Sequence, residues 1–246
     1  MNIGLVPMSA KPYHIGHHKL IQIAADQNDK VFVFVSFSGR GVKSIKDPMD
    51  PRTIKAGARK IEVPKAGEVP VFGADMRHIW LSILKDELDL PESVEFIFPD
   101  FGSSLVPVRC VHETCADLIE SHESFEVFGS QFSTKGTVIN IYSDVDDIST
   151  NYSNDTMEKY YGVDWSRVIN LVGIRREDTV NISGSEMRAM LKDVSRLEEF
   201  KSLLPPIKNN AKNIIASILY DSAASGIDFN SRRKSASKAP MPVYAG

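Results

Sequence analysis

Cysteine is scarce in this chain of 246 residues, which holds only Cys110 and Cys115. Two thiols make no disulfide framework, and they fit a reducing compartment. An excess of one charge is also missing. Lys plus Arg total 29 against 32 Asp plus Glu, a formal net charge of -3, so no global field draws nucleic acid or an anionic membrane. No apolar run approaches the ~18 residues of a spanning helix. The first residues lack a basic region followed by a long apolar one, so no signal peptide is read there. No His-Glu-x-x-His pattern exists, and the cysteines lie far from the N-terminal histidines, which weakens a zinc reading. What is present is average. With 42% hydrophobic, 25% charged and 9% aromatic residues, the chain is neither disordered, collagenous nor a coiled coil. The expectation is a cytoplasmic globular protein with no membrane partner and no nucleic-acid partner.

Strand-like and helix-like segments alternate along most of the length. Ile3 to Val6, Val31 to Val35, Val94 to Phe98, Val138 to Tyr142 and Val168 to Val172 are short, apolar and rich in β-branched residues. Val31-Phe32-Val33-Phe34-Val35 is apolar at every position, the mark of a strand buried on both faces of a parallel sheet. Helical spacing appears over His17 to Ala25, Met76 to Leu88, Val111 to Ser121, Asp155 to Tyr161 and Ser185 to Phe200. The expected fold class is α/β, a Rossmann-like open parallel sheet with helices on both faces and right-handed crossovers.

Two regions interrupt this pattern. Residues 39 to 75 combine prolines and glycines with Lys43, Lys46, Lys55, Arg59, Lys60 and Lys65. They read as a basic loop insertion, either a solvated surface excursion or a functional lid. The domain is expected to end near residue 228. Residues 229 to 246 form a basic tail with Arg232, Arg233, Lys234 and Lys238 among Ser, Ala and Pro. Four cations need partners to be buried, so this tail is expected outside the domain, either solubilising it or contacting a second copy or a larger assembly.

Chemistry concentrates directly after the first strand, in Pro7-Met8-Ser9-Ala10-Lys11-Pro12-Tyr13-His14-Ile15-Gly16-His17-His18. In an open α/β sheet the carboxyl end of a strand is where ligands bind. His14 and His17 are three apart and share a face if both lie in the first helical turn. Backbone N–H groups at the helix start favour an anion, and imidazole N–H groups can add donors without permanent charge. Gly16 removes a side chain where a ligand must come close, and Lys11 supplies a cation on the same loop. His18 points away from the pair by helical geometry and is expected in solvent.

A second signal follows the last strand: Val180-Asn181-Ile182-Ser183-Gly184-Ser185-Glu186-Met187-Arg188. Ser183 and Glu186 have capping-box spacing, so a helix should begin at Ser183, with Met187, Met190, Leu191 and Val194 on its apolar face. Ser185 and Arg188 are three apart in its first turns, and a hydroxyl beside a guanidinium suits phosphate oxygens.

Together, His14-Ile15-Gly16-His17 and Ile182-Ser183-Gly184-Ser185-Glu186-Met187-Arg188 resemble the His-x-Gly-His nucleotidyltransferase superfamily, whose second signature is Ile-Ser-Ser/Gly-Thr/Ser-x-x-Arg. The resemblance covers about residues 1 to 220. The Ser-Gly-Ser-Glu form is most similar to adenylyltransferases, notably those acting on nicotinamide mononucleotide. The stretch around His14 also looks like cytidylyltransferase-like proteins of bacteriophages, which would place the chain in a host cytoplasm or a virion. Of the Gly-x-Phe-x-Pro that often precedes the first histidine, only Pro12 is kept. The Arg-Thr-x-Gly-Ile-Ser-Thr signature of dedicated cytidylyltransferases and the Lys-Met-Ser-Lys-Ser of class I synthetases are both absent.

The resemblance implies transfer of a nucleoside monophosphate, AMP from ATP before CMP from CTP, to a small phosphorylated acceptor, with loss of pyrophosphate. It casts His14, His17, Lys11 and Arg188 as catalytic, and Ser9, Gly16, Ile182, Ser183 and Ser185 as nucleotide-binding. Mg²⁺ would arrive on the triphosphate with few or no protein ligands. Arg40 is either a contact to the acceptor phosphate or a turn arginine in solvent. The alternative is a structural or binding protein that keeps the fold without turnover.

Overall fold

The computed structural model describes residues 1–46, 60–99, 106–229, 231 and 232. In chain order the first elements are β1 (Asn2–Met8), α1 (Ile15–Gln27), β2 (Lys30–Val35), β3 (Val42–Lys46) and β4 (Lys60–Pro64). Then α2 (Gly73–Ile79) runs through a π turn, Trp80–Leu84, into α3 (Lys85–Glu87). They are followed by β5 (Val94–Ile97), α4 (Val106–Glu120), β6 (Ser124–Val127), β7 (Ser130–Ser133) and β8 (Val138–Asp144). The last are α5 (Val145–Asn151), α6 (Asn154–Tyr161), β9 (Ile169–Ile174), α7 (Gly184–Met190), α8 (Leu197–Ser202) and α9 (Asn209–Ser225). The chain divides into two compact units, Met1–Ser38 with Leu88–Gly184, and Gly39–Glu87 with everything from Ser185 on.

The first unit is α/β and Rossmann-like. Its five strands pair in the order β5-β2-β1-β8-β9, all parallel. All five strands read from apolar patterning are present in it. Alternation along β1 and β2 explains why none of their central positions is polar. Ile3, Leu5, Phe32 and Phe34 enter one apolar cluster with Ile139 and Ile141 of β8, and with Val111, Cys115 and Leu118 of α4. On the other side α1 packs on β1, β2 and β8 with Ile21 and Ala24 fully buried. A strand covered on both faces has no solvent side on which to place a polar residue. The register sets Met8 opposite Val35, so β1 and β2 end together at their carboxyl ends. Both thiols lie within this packing, and burial pushes Cys110 up to about 11 and Cys115 up to about 12, so neither ionises readily.

In the second unit, part of the region read as a loop forms the antiparallel pair β3–β4, with Val42 opposite Pro64 and Lys46 opposite Lys60. Lys55 and Arg59 lie outside the described residues. A continuous helix over Ser185 to Phe200 does not form. α7 stops at Met190, and Asp193 Oδ1 accepts from the Ser195 amide at 2.9 Å and its hydroxyl at 2.7 Å. A side chain that satisfies backbone donors locally competes with the helix and starts a new short turn, Val194–Arg196, before α8. Val194, placed on the apolar face by spacing, is 64% exposed as a result.

The first residues of the expected tail are also built into this unit. Phe229 donates its amide to buried Asp75 Oδ1 at 2.7 Å and its ring stacks on His78 at 5.3 Å. Arg232, grouped by sequence with cations outside the domain, donates to Ser222 Oγ at 2.9 Å and pairs with Asp221 at 3.5 Å. It has the partners that the tail was expected to lack. Arg233, Lys234 and Lys238 lie outside the described residues.

The central strands carry the stability of the first unit. Phe32→Ala is expected to cost about 3–5 kcal/mol, because a fully buried ring leaves a cavity between sheet and helix. Urea unfolding measures this, and a loss under 1 kcal/mol would contradict the packing described.

Candidate active site

The two histidines of the first motif define the start of α1. β1 ends at Met8 and the loop through Lys11-Pro12, a cis peptide, leads to His14 in an extended conformation. His14 Nδ1 accepts the Gly16 amide at 3.2 Å, and His17 Nδ1 accepts the His14 amide at 3.3 Å. This is a reciprocal capping box built from two imidazoles. It satisfies two of the amide donors that a helix start otherwise leaves open. It also decides a tautomer. An Nδ1 that accepts a hydrogen bond carries no proton, so in each neutral ring the proton sits on Nε2.

The two rings lie 3.8 Å apart, so the structure brings together the pair that the sequence singled out. Burial, and then the neighbouring His14, hold the His17 imidazole well below the ordinary histidine value. Two charged imidazoles at this distance would repel, whereas neutral ones can both serve as directed donors. Gly16 makes the arrangement fit. A Cβ there would stand 3.1 Å from two atoms of the His14 ring and 3.4 Å from the Val180 carbonyl. Val180 opens the second motif, so within this unit the two motifs approach each other at the start of α1.

Lys11 is 2% exposed, and its ammonium donates to Ser36 Oγ at 3.4 Å and to Ser38 Oγ. Both hydroxyls lie just past the carboxyl end of β2, and Ser36 Oγ and Ser38 Oγ are 3.1 Å apart. Ser9 Oγ is buried with no hydrogen-bond partner among the described residues. An unsatisfied buried hydroxyl at the carboxyl end of the central strand has the character of a ligand contact. Ile182 and Ser183 are half-buried ahead of α7. Sequence reasoning missed Ser36 and Ser38, although a Ser-x-Ser directly after an all-apolar strand marks the place where its polar end begins.

His18 is a correction. It is 2% exposed, one turn before buried Ile21, and its Nδ1 is 3.3 Å from the Tyr13 hydroxyl. Residues three apart share a helix face, so His18 follows Ile21 onto the packed side of α1.

Ser185, Arg188 and Arg40 belong to the second unit. Arg188 Nη2 donates to Ser185 Oγ at 2.9 Å, which pre-forms the hydroxyl–guanidinium pair expected from their spacing. Burial and then Arg40 lower the Arg188 affinity for its proton, while Glu68 opposes them. Two guanidiniums that repel each other gain from an anion between them. Arg40 is exposed, and its backbone pairs with Val71 through two 2.8 Å bonds. Gly41, at φ +65°, turns the chain beside it, where a Cβ would meet the Val69 carbonyl at 2.5 Å. Glu62, unremarked in the sequence, holds the neighbourhood by accepting the Gly39 amide at 2.7 Å and the Gly73 amide at 2.5 Å. α7 has only seven residues, so any phosphate contact there rests on side chains rather than on a helix dipole.

Among the described residues no cluster of three or more His, Cys, Asp or Glu could hold a metal ion, and no helix is long and apolar enough to cross a membrane. No known family model matches the chain, and no curated protein matches it.

The His17 environment predicts an acid-labile helix start. A base whose folded value lies below the ordinary 6.5 binds fewer protons folded than unfolded between those two values. Its contribution to stability is therefore complete above pH 6.5 and is lost as the pH falls below it. Unfolding free energies at pH 7, 6 and 5 should decline more steeply for the wild type than for His17→Asn, which cannot titrate. Parallel curves would contradict a buried neutral imidazole.

Proposed function

We propose that this chain is a nucleotidyltransferase. The observation that supports it best is the reciprocal histidine cap, which fixes two neutral imidazoles with their protons on Nε2 at the carboxyl end of the central strand. Lys11 and the unsatisfied Ser9 hydroxyl on the same loop add a cation and a further polar contact. The resemblance of both motifs to the His-x-Gly-His superfamily supplies the reaction.

In this reading an ionised phosphate of the acceptor attacks the α-phosphorus of ATP, supplied as its magnesium complex. A new P–O bond forms, the bond to the bridging oxygen breaks, and pyrophosphate leaves with that electron pair. The nucleophile is already an anion, so no general base is needed. The protein positions the groups and stabilises developing charge. His14 and His17 donate from Nε2 to α- and β-phosphate oxygens, and Lys11 offsets charge on the transferring group. The resemblance, and not any contact between the units, assigns the β- and γ-phosphates to Ser185 and Arg188 and the nucleotide seat to Ile182, Ser183 and Gly16. Arg40 binds the acceptor phosphate. Nicotinamide mononucleotide is the first acceptor to test.

The cap separates the two jobs of His17. His17→Ala removes both the Nδ1 acceptor and the Nε2 donor, and is expected to cost about 1 kcal/mol of stability as well as turnover. His17→Asn can keep an acceptor near the Nδ1 position. It should hold stability within about 0.5 kcal/mol while pyrophosphate release falls on the order of 100-fold. Undiminished release by His17→Asn would remove His17 from the chemistry.

Arg188→Lys should raise the KM for the triphosphate, since a point ammonium cannot reproduce a two-oxygen contact. A rise confined to the acceptor KM would reassign Arg188. The decisive assay is pyrophosphate release from labelled triphosphates across a panel of phosphorylated acceptors. Stable association with a large assembly and no release from any pair would instead support a structural protein that keeps this fold.

A further inference from the structure

We infer that His18 is a positioning residue for His17, acting through the ring of Tyr13. Tyr13 is 1% exposed and lies between the two histidines. Its ring stacks on His17 with centroids 5.7 Å apart and planes 13° from parallel. It meets His18 edge-on at 85°, with the phenol oxygen 3.3 Å from His18 Nδ1. The order of contacts is therefore His18, Tyr13, His17, His14, and the hydrogen bond to His18 anchors the oxygen end of the stacked ring.

The direction of that bond follows from the surroundings. Burial raises the Tyr13 phenol well above its ordinary range, so it keeps its proton. Burial is also the largest influence on His18 and lowers it, as does Lys19, while Asp89 opposes them. A protonated phenol beside a neutral imidazole donates to Nδ1, which leaves the His18 proton on Nε2. That Nε2 is buried and has no hydrogen-bond partner among the described residues. An unsatisfied buried N–H costs stability, so packing alone would favour a leucine here. What a leucine lacks is the Nδ1 acceptor that holds the Tyr13 hydroxyl.

The consequence falls on His17. The His14 amide fixes its Nδ1 side, but nothing in that bond fixes the tilt of the ring plane, which the stacked Tyr13 does. A donor aimed at a transferring phosphate depends on that tilt, and small misplacements are expensive in rate. This role rests on the reading of His17 as a phosphate donor.

The test uses the full chain with ¹⁵N-labelled histidine, in the wild type and in His18→Leu, His18→Asn and Tyr13→Phe. The His17 ring-nitrogen shifts are read first without nucleotide, then kcat and KM with Mg-ATP and the best acceptor. His18→Leu should move or average the His17 shifts and lower kcat about tenfold to a hundredfold, leaving the triphosphate KM within about twofold. Tyr13→Phe, which keeps the ring and loses the hydroxyl, should do the same. His18→Asn, whose side-chain oxygen can stand near the Nδ1 position, should restore both readouts. If His18→Leu does not fold, Tyr13→Phe decides. Unchanged His17 shifts in a folded variant would overturn the positioning role, as would a lower melting temperature with unchanged shifts. Absence of turnover in the wild type would overturn the nucleotidyltransferase reading instead, while the shifts still decide the positioning.

Discussion

Two imidazoles that cap one helix, His14 by accepting the Gly16 amide and His17 by accepting the His14 amide, set the constraint on which the first unit's site depends. Each Nδ1 is committed to a backbone N–H, so the position of both rings, and the tautomer of each in its neutral form, follow from the same pair of bonds. The fold delivers this pair to a useful place. β1 lies in the middle of a parallel sheet covered on both faces, and the carboxyl ends of such strands are where open α/β sheets bind ligands. The packing that forbids polar residues within β1 and β2 forces them to appear together just past the strands, as Ser9, Lys11, Ser36 and Ser38.

The second unit meets a different problem, which is to hold like charges near one another. Arg40 and Arg188 are within electrostatic reach, and a folded chain keeps such a pair only if other contacts outweigh the repulsion. Arg40 is fixed through its backbone rather than its side chain, by two bonds to Val71. Its flanking turn is held by Glu62, whose two oxygens each take an amide, from Gly39 and from Gly73. Arg188 is anchored from its own helix by Ser185.

Much of this was legible from residue order. Short runs rich in apolar and β-branched residues marked every strand of the sheet, most cleanly Val31 to Val35, where a doubly covered strand leaves no polar position to confuse the pattern. His14 and His17 were legible from a three-residue spacing at a strand-to-helix turn. His18 was not, because α1 buries the face that begins one residue after the motif, and a histidine in an apolar interface carries no sequence mark. The break after α7 was written in Asp193-Val194-Ser195, a local capping signal that helical spacing of the neighbouring apolar residues overrode. Arg232 was hidden for the opposite reason. Its partners Asp221 and Ser222 stand on α9, and a basic composition gives no hint that a helix surface is arranged to receive it.

Neutral imidazoles are an economical choice where a polyanion must be both held and released. A permanent cation binds substrate, transition state and pyrophosphate by much the same long-range attraction, and so favours the product as strongly as the reaction. A neutral N–H is short-ranged and directional, and rewards only the oxygen that moves into its line. Burial and the neighbouring His14 hold His17 toward that neutral form, and the cap gives each Nδ1 a donor it would lose on protonation. Permanent charge is carried elsewhere, by Lys11 in one unit and by Arg40 and Arg188 in the other. In the proposed reaction, direction comes from the histidines and charge from Lys11 on the same loop, and the helix cap is what would allow the histidines to contribute direction alone.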